Sequence, residues 1–213
     1  ASSLLLLRAK ALQGQRGQRS IHASGVHGRR GNSRMEDRVK VIFLDIDGVM
    51  NRIIPEEEAG TGSACGEQPV RPVEEEKVRL LAELVGRTGA KIVLHSGWRF
   101  LYDETLWPIH PESERLEALL GKYGLCLYGC TPDLTDEEVR RTKKFSRVKG
   151  REILQWLDGH ARPKEVDSWV VLDDLELSEK EVAVHQVRTD GRRGMTEADL
   201  EMAARCLGEY YTS

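Results

Sequence analysis

No apolar run in the 213-residue chain is long enough to cross a bilayer; Leu4 to Leu7 is a patch of four. A membrane-spanning helix is excluded, and no membrane partner is expected. Cysteine is sparse as well. Cys65, Cys126, Cys130 and Cys206 are scattered, and Cys126 with Cys130 lacks the matching Cys or His that a zinc site needs. Reduced, structural thiols are expected, not a disulfide framework. Acidic residues are missing from residues 1–34, which hold seven basic ones (Arg8, Lys10, Arg16, Arg19, Arg29, Arg30 and Arg34). The remainder has 25 basic against 35 acidic residues, a formal charge of −10. A body of that sign is a poor non-specific binder of nucleic acid.

Residues 1–34 are too rich in Gly, Gln, Ser and Arg to bury a core, so a disordered leader is expected there. Their composition is that of a mitochondrial transit peptide, with Arg19-Ser20-Ile21-His22-Ala23-Ser24 as a processing-like string. The alternative is an upstream segment foreign to the functional protein, with Met35 as its start. The expected location is therefore cytoplasmic, or mitochondrial if the leader is native. Residues 35–213, in a chain that is 39% hydrophobic and 31% charged, are expected to form one domain.

The most informative stretch is Val39-Lys40-Val41-Ile42-Phe43-Leu44-Asp45-Ile46-Asp47-Gly48-Val49-Met50-Asn51. A short apolar run ending in Asp and Gly predicts a central parallel strand, whose carboxyl end is where open α/β sheets bind ligands. Residues two apart in an extended chain point the same way, about 6 to 7 Å apart, so Asp45 and Asp47 can address one small ligand. That spacing suits a metal and a phosphoryl group; the plain alternative is a turn that closes a strand.

A loop with Pro55, several glutamates and the small residues 59–66 follows, expected to be mobile near the site. Residues 73–86 have helical spacing, and Lys91 to Leu94 predict a second strand running into His95, Ser96, Gly97, Trp98 and Arg99. A helix over 111–121 and a third strand over 125–128 come next. Six basic residues (Arg140, Arg141, Lys143, Lys144, Arg147 and Lys149) lead into a helix over 150–159, which puts Lys149 at a helix start where the dipole disfavours a cation. Residues 168–174 predict a fourth strand ending in Asp173 and Asp174, residues 182–187 a fifth, and Thr196 with Asp199 a capped final helix. Strands alternating with helices predict an α/β fold: a doubly wound, Rossmann-like parallel sheet of about five strands.

Separate strands thus deliver Asp45 and Asp47, Ser96, and Asp173 and Asp174 to one end, with Lys149 on a helix start. This ordered set resembles the haloacid dehalogenase (HAD) superfamily of phosphotransferases. More narrowly, Leu44 to Asn51 together with Ser96-Gly97-Trp98-Arg99 is similar to the phosphatase-type domains of Swiss Army knife RNA-repair proteins. No inserted stretch is long enough for a folded cap, so an open site is expected.

The resemblance implies a phosphomonoester hydrolase that uses Mg²⁺. In that scheme Asp45 is the nucleophile that forms an aspartyl-phosphate, and Asp47 is the acid and base. Asp45, the main-chain carbonyl of Asp47, and Asp174 would ligate Mg²⁺, with Asp173 a ligand or an orienting group. Ser96, Lys149 and the amides around Gly48 and Gly97 would hold phosphoryl oxygens. Arg99 would touch substrate or, equally, form an ion pair on the sheet rim. Plainer roles stand beside these: Ser96 as a turn cap, Lys143 or Lys144 in place of Lys149, and His95 and His185 as packed neutral histidines. Of the four tryptophans, Trp98 alone is placed near the site. The partner would be a phosphorylated substrate, small or macromolecular. The alternatives are a nucleic-acid-end phosphatase or repair factor gripping through the basic run with Phe145 inside it, and a catalytically silent scaffold.

Overall fold

The structure is a computed structural model that describes residues 38–54, 72–142, 144–160 and 166–208. The basic leader and residues 55–71, the stretch expected to be mobile, lie outside these. Five strands, β1 (Val39–Leu44), β2 (Lys91–Leu94), β3 (Leu127–Cys130), β4 (Val166–Asp173) and β5 (Gln186–Arg188), form one sheet in the order β3-β2-β1-β4-β5. Every pairing is parallel. The helices are α1 (Glu75–Thr88), α2 (Pro111–Lys122), α3 (Glu137–Thr142), α4 (Ser146–His160), α5 (Lys180–Ala183) and α6 (Glu197–Cys206), with a 3-10 turn at Gly97–Leu101.

The period-two alternation of β1 sends its side chains into two separate cores. Ile42 and Leu44 pack with Leu81 and Leu84 of α1, Leu116 and Leu120 of α2, and Leu200 and Ala203 of α6. Val41 and Phe43 face the other way, onto Ile153 and Trp156 of α4 and Val182 of α5. There Phe43 meets Trp156 edge-on at 5.3 Å between ring centroids. Because both faces are covered, β1 needs no polar face, which is why it reads as an unbroken apolar run.

Two local devices are legible in the residues. Gly89 ends α1 in the left-handed conformation, at φ 68°, with its amide on the carbonyl of Val85. Thr196 and Asp199 form the expected reciprocal cap of α6. The third strand, expected over 125–128, runs two residues later, and one element differs in kind. Residues 182–187, expected as a strand, divide into the last turn of α5 and the start of β5. The amides of Val182 and Ala183 both bond back to the carbonyl of Glu179, so Val182 is buried while Val184 is 76% exposed. A single buried valine is satisfied by one helical turn as well as by a strand.

No described helix is long and apolar enough to cross a membrane. Between β3 and α4 the described chain holds only the six-residue α3.

Candidate active site

The ladder of β1 continues beyond its last residue. The amide of Asp45 bonds the carbonyl of Leu172 at 3.0 Å, and the amide of His95 bonds the carbonyl of Leu44 at 2.7 Å. The first carboxylate is therefore fixed on the central strand, between β2 and β4. Asp45 is 5% exposed. Its Oδ1 accepts from the amide of Ile46 at 2.9 Å and its Oδ2 from Lys149 Nζ at 2.5 Å.

Lys149, in the first turn of α4, also reaches Asp173 Oδ2 at 2.6 Å. Burial by itself would lower the pKa of this ammonium, but Asp45 and Asp173 together hold it above the ordinary lysine value. The other oxygen of Asp173 accepts from the amide of Leu175 at 2.8 Å, and the residue is fully buried. Both of its oxygens are thus engaged. Burial first, and the charge of Asp45 second, push the carboxyl of Asp173 upward.

Asp174 completes the cluster: Asp45, Asp173 and Asp174 each offer an oxygen, all within 4.8 Å of one another. Its carboxylate is wedged between two glycines. A Cβ at Gly48 would lie 2.6 Å from Asp174 Cγ, and one at Gly191 would lie 2.8 Å from Asp174 Oδ2. Gly48 also sits at φ 80°, which a side chain disfavours. Burial, and next the charge of Asp45, raise the pKa of Asp174. Three carboxylates with one ammonium leave an excess of two negative charges in a small oxygen-lined space. That donor set fits a hard divalent cation such as Mg²⁺.

Asp47 stands apart from this group. Its side chain is exposed, and its oxygens accept from Asn51 Nδ2 at 2.8 Å and Trp98 Nε1 at 3.0 Å. The Asp47 carboxylate, expected among the metal ligands, is therefore not one of the three gathered oxygens. Gly48 differs from expectation too, because its amide is given to Asn51 Oδ1 at 3.1 Å and not left open for substrate. Ser96 caps the 3-10 turn, its Oγ accepting from the amide of Trp98 at 3.4 Å. Gly97 is exposed and follows directly.

Arg99 takes the rim ion pair. Its guanidinium meets Glu152 at 2.8 and 3.0 Å, Thr131 Oγ1 at 3.1 Å and Asp133 at 3.3 Å. Glu152 is 1% exposed and lies three residues beyond Lys149 on α4, so this pair ties the turn after β2 to the helix that carries the lysine. His95 is fully buried, with Nε2 3.6 Å from Asp173 Oδ2. Burial, then Lys149 and Arg99, depress its pKa well below the usual value, which makes it the expected neutral histidine. His185 stacks on Trp169 at 4.0 Å. Lys144 is exposed, which leaves Lys149 as the described lysine within the cluster; Lys143 lies outside the described residues.

Sequence reasoning placed every member of the carboxylate cluster but missed the two donors on Asp47 and the partner of Arg99. Asn51 closes the stretch that holds Asp45 and Asp47, four residues after Asp47, and that spacing is its signal in the sequence. The sequence set Trp98 near the site but did not pair its indole with Asp47.

A sequence model of one family, described as the HAD domain in Swiss Army Knife RNA repair proteins, matches residues 41–200. No curated protein and no solved structure matches the chain.

Proposed function

Since the chain belongs to the family of the HAD domain in Swiss Army Knife RNA repair proteins, we propose that it hydrolyses phosphate monoesters through an aspartyl-phosphate on Asp45. The observation that carries this reading is the meeting of Asp45, Asp173 and Asp174 within 4.8 Å, with Lys149 hydrogen-bonded to the first two. Asp45 attacks phosphorus as the ester oxygen leaves, and water then cleaves the acyl phosphate. Asp47 gives a proton to the leaving oxygen and afterwards removes one from the water. Lys149, the Ser96 hydroxyl and the exposed turn at Gly97 hold the phosphoryl oxygens.

Asp45, Asp174 and the main-chain carbonyl of Asp47 would hold Mg²⁺, which when bound offsets the negative charge gathered around the phosphate. Asp173, fully buried and bonded to both Lys149 and the amide of Leu175, orients the lysine. The test is Asp45→Asn assayed on an aryl phosphate with Mg²⁺. Loss of turnover by a factor of a thousand or more is expected, and undiminished turnover overturns the proposed nucleophile.

A second reading is that the ester is the phosphorylated end of a nucleic acid. The matching family's description favours it, as do Phe145, 40% exposed, and the exposed Arg147 at the start of the helix that carries Lys149. Against it, Arg140 of the same basic run is spent on Asp133 at 2.9 Å. Hydrolysis of phosphorylated oligonucleotides and of small esters at two salt concentrations separates the readings. A polymer substrate weakens steeply with salt, and equal rates without salt dependence remove it.

A further inference from the structure

An exposed aspartate has several side-chain rotamers open to it and loses entropy when held in one. Asp47 is exposed, yet both of its oxygens are bonded, and both donors are rooted in the interior: Trp98 is 6% exposed and Asn51 is 1% exposed. Each donor is itself fixed. The amide of Gly48 donates to Asn51 Oδ1, which sets the orientation of the side-chain amide and turns its NH₂ toward Asp47. Trp98 packs in the larger core, and its indole N–H can only donate.

We infer that Trp98 and Asn51 are positioning residues that hold the Asp47 carboxyl group at the place where it protonates the departing oxygen. This rests on the phosphatase reading above. In the first step the Asp45 oxygen–phosphorus bond forms, the ester oxygen–phosphorus bond breaks, and the Asp47 proton passes to the ester oxygen, which leaves as a neutral alcohol. In the second, water attacks phosphorus, its proton returns to Asp47, and phosphate and the Asp45 carboxylate separate. Neither Trp98 nor Asn51 exchanges a proton in this sequence. They act through Asp47.

General acid catalysis matters most when the leaving group is a poor one. A positioning role therefore has a signature that general damage to the fold lacks. The experiment compares kcat/KM for phenyl phosphate and p-nitrophenyl phosphate, esters of similar shape whose phenols differ in acidity, in Trp98→Phe and Asn51→Ala. Correct placement of a general acid contributes about 10²- to 10⁴-fold. The phenyl-to-nitrophenyl ratio is expected to fall about tenfold or more in each variant, and to fall in the same way when benzothienylalanine replaces Trp98, a change that removes the N–H and keeps the ring. An equal loss on both esters overturns the inference. A wild-type protein inactive on both, or an Asp45→Asn variant that retains turnover, overturns the phosphatase reading beneath it.

Discussion

Lys149 Nζ and Asp45 Oδ2 lie 2.5 Å apart although the two residues are 104 positions apart in the chain. The lysine is also the one cation bonded to Asp173 at 2.6 Å among the described residues, so two buried carboxylates depend on a single ammonium. Lys149→Met should leave both without a counter-charge. Removing one member of a buried ion pair costs about 3 to 5 kcal/mol. Denaturant unfolding without metal should register a loss of that order, and added Mg²⁺ should recover part of it. A variant as stable as the wild type would show that the two carboxylates do not depend on the ammonium.

Gly48→Ala should weaken magnesium binding specifically. The new Cβ would stand 2.6 Å from Asp174 Cγ, at a backbone φ of 80°, so the carboxylate must move or the turn must open. The expected result is at least a tenfold rise in the Mg²⁺ dissociation constant by titration calorimetry. A stability loss of about 1 kcal/mol from the left-handed backbone should accompany it.

The Arg99–Glu152 pair should be coupled to the position of Lys149. Arg99→Lys keeps the charge and loses the two-point grip on Glu152, so it should not behave as a conservative change. A double-mutant cycle of Arg99→Met and Glu152→Met should give a coupling energy of about 1 to 3 kcal/mol. The single variants should also reduce kcat more than they alter KM for an aryl phosphate.

His95 sets an acid limit on stability. Its folded pKa is depressed, chiefly by burial and then by Lys149 and Arg99. The unfolded chain therefore takes up a proton near pH 6.5 that the folded chain refuses. Its contribution is fully present above that pH and is lost as pH falls toward the folded value. Asp173 and Asp174, raised in the folded state, run the opposite way over the acid range, so the comparison must be between variant and wild type. His95→Asn should flatten the metal-free stability profile between about pH 6 and pH 5 by up to about 1.4 kcal/mol per unit. An unchanged slope would mean that the ring is protonated while folded.

The carboxylate cluster was legible in the chain because strand ends announce themselves. An apolar run that stops at Asp marks a sheet's carboxyl edge, and parallel topology brings such edges together whatever their separation in sequence. Asp45, Ser96 and Asp173 with Asp174 were placed by that logic. Side-chain partners chosen by three-dimensional packing were not legible: the indole of Trp98 finds Asp47 across 51 positions, and Arg99 finds Glu152 across 53. The fifth strand was begun four residues early because Val182 and Val184 alternate as strand residues do, yet only the first has a core to enter.

The amide of Asp45 is hydrogen-bonded to Leu172 as though β1 had not ended, with Leu44 bound to His95 on the other side. The backbone of Asp45, the proposed nucleophile, thus belongs to the innermost hydrogen-bonded rows of the sheet. Its amide proton should exchange with deuterium at the pace of whole-domain opening, beside those of Phe43 and Leu172, while the amide of exposed Asp47, two residues on, exchanges far sooner.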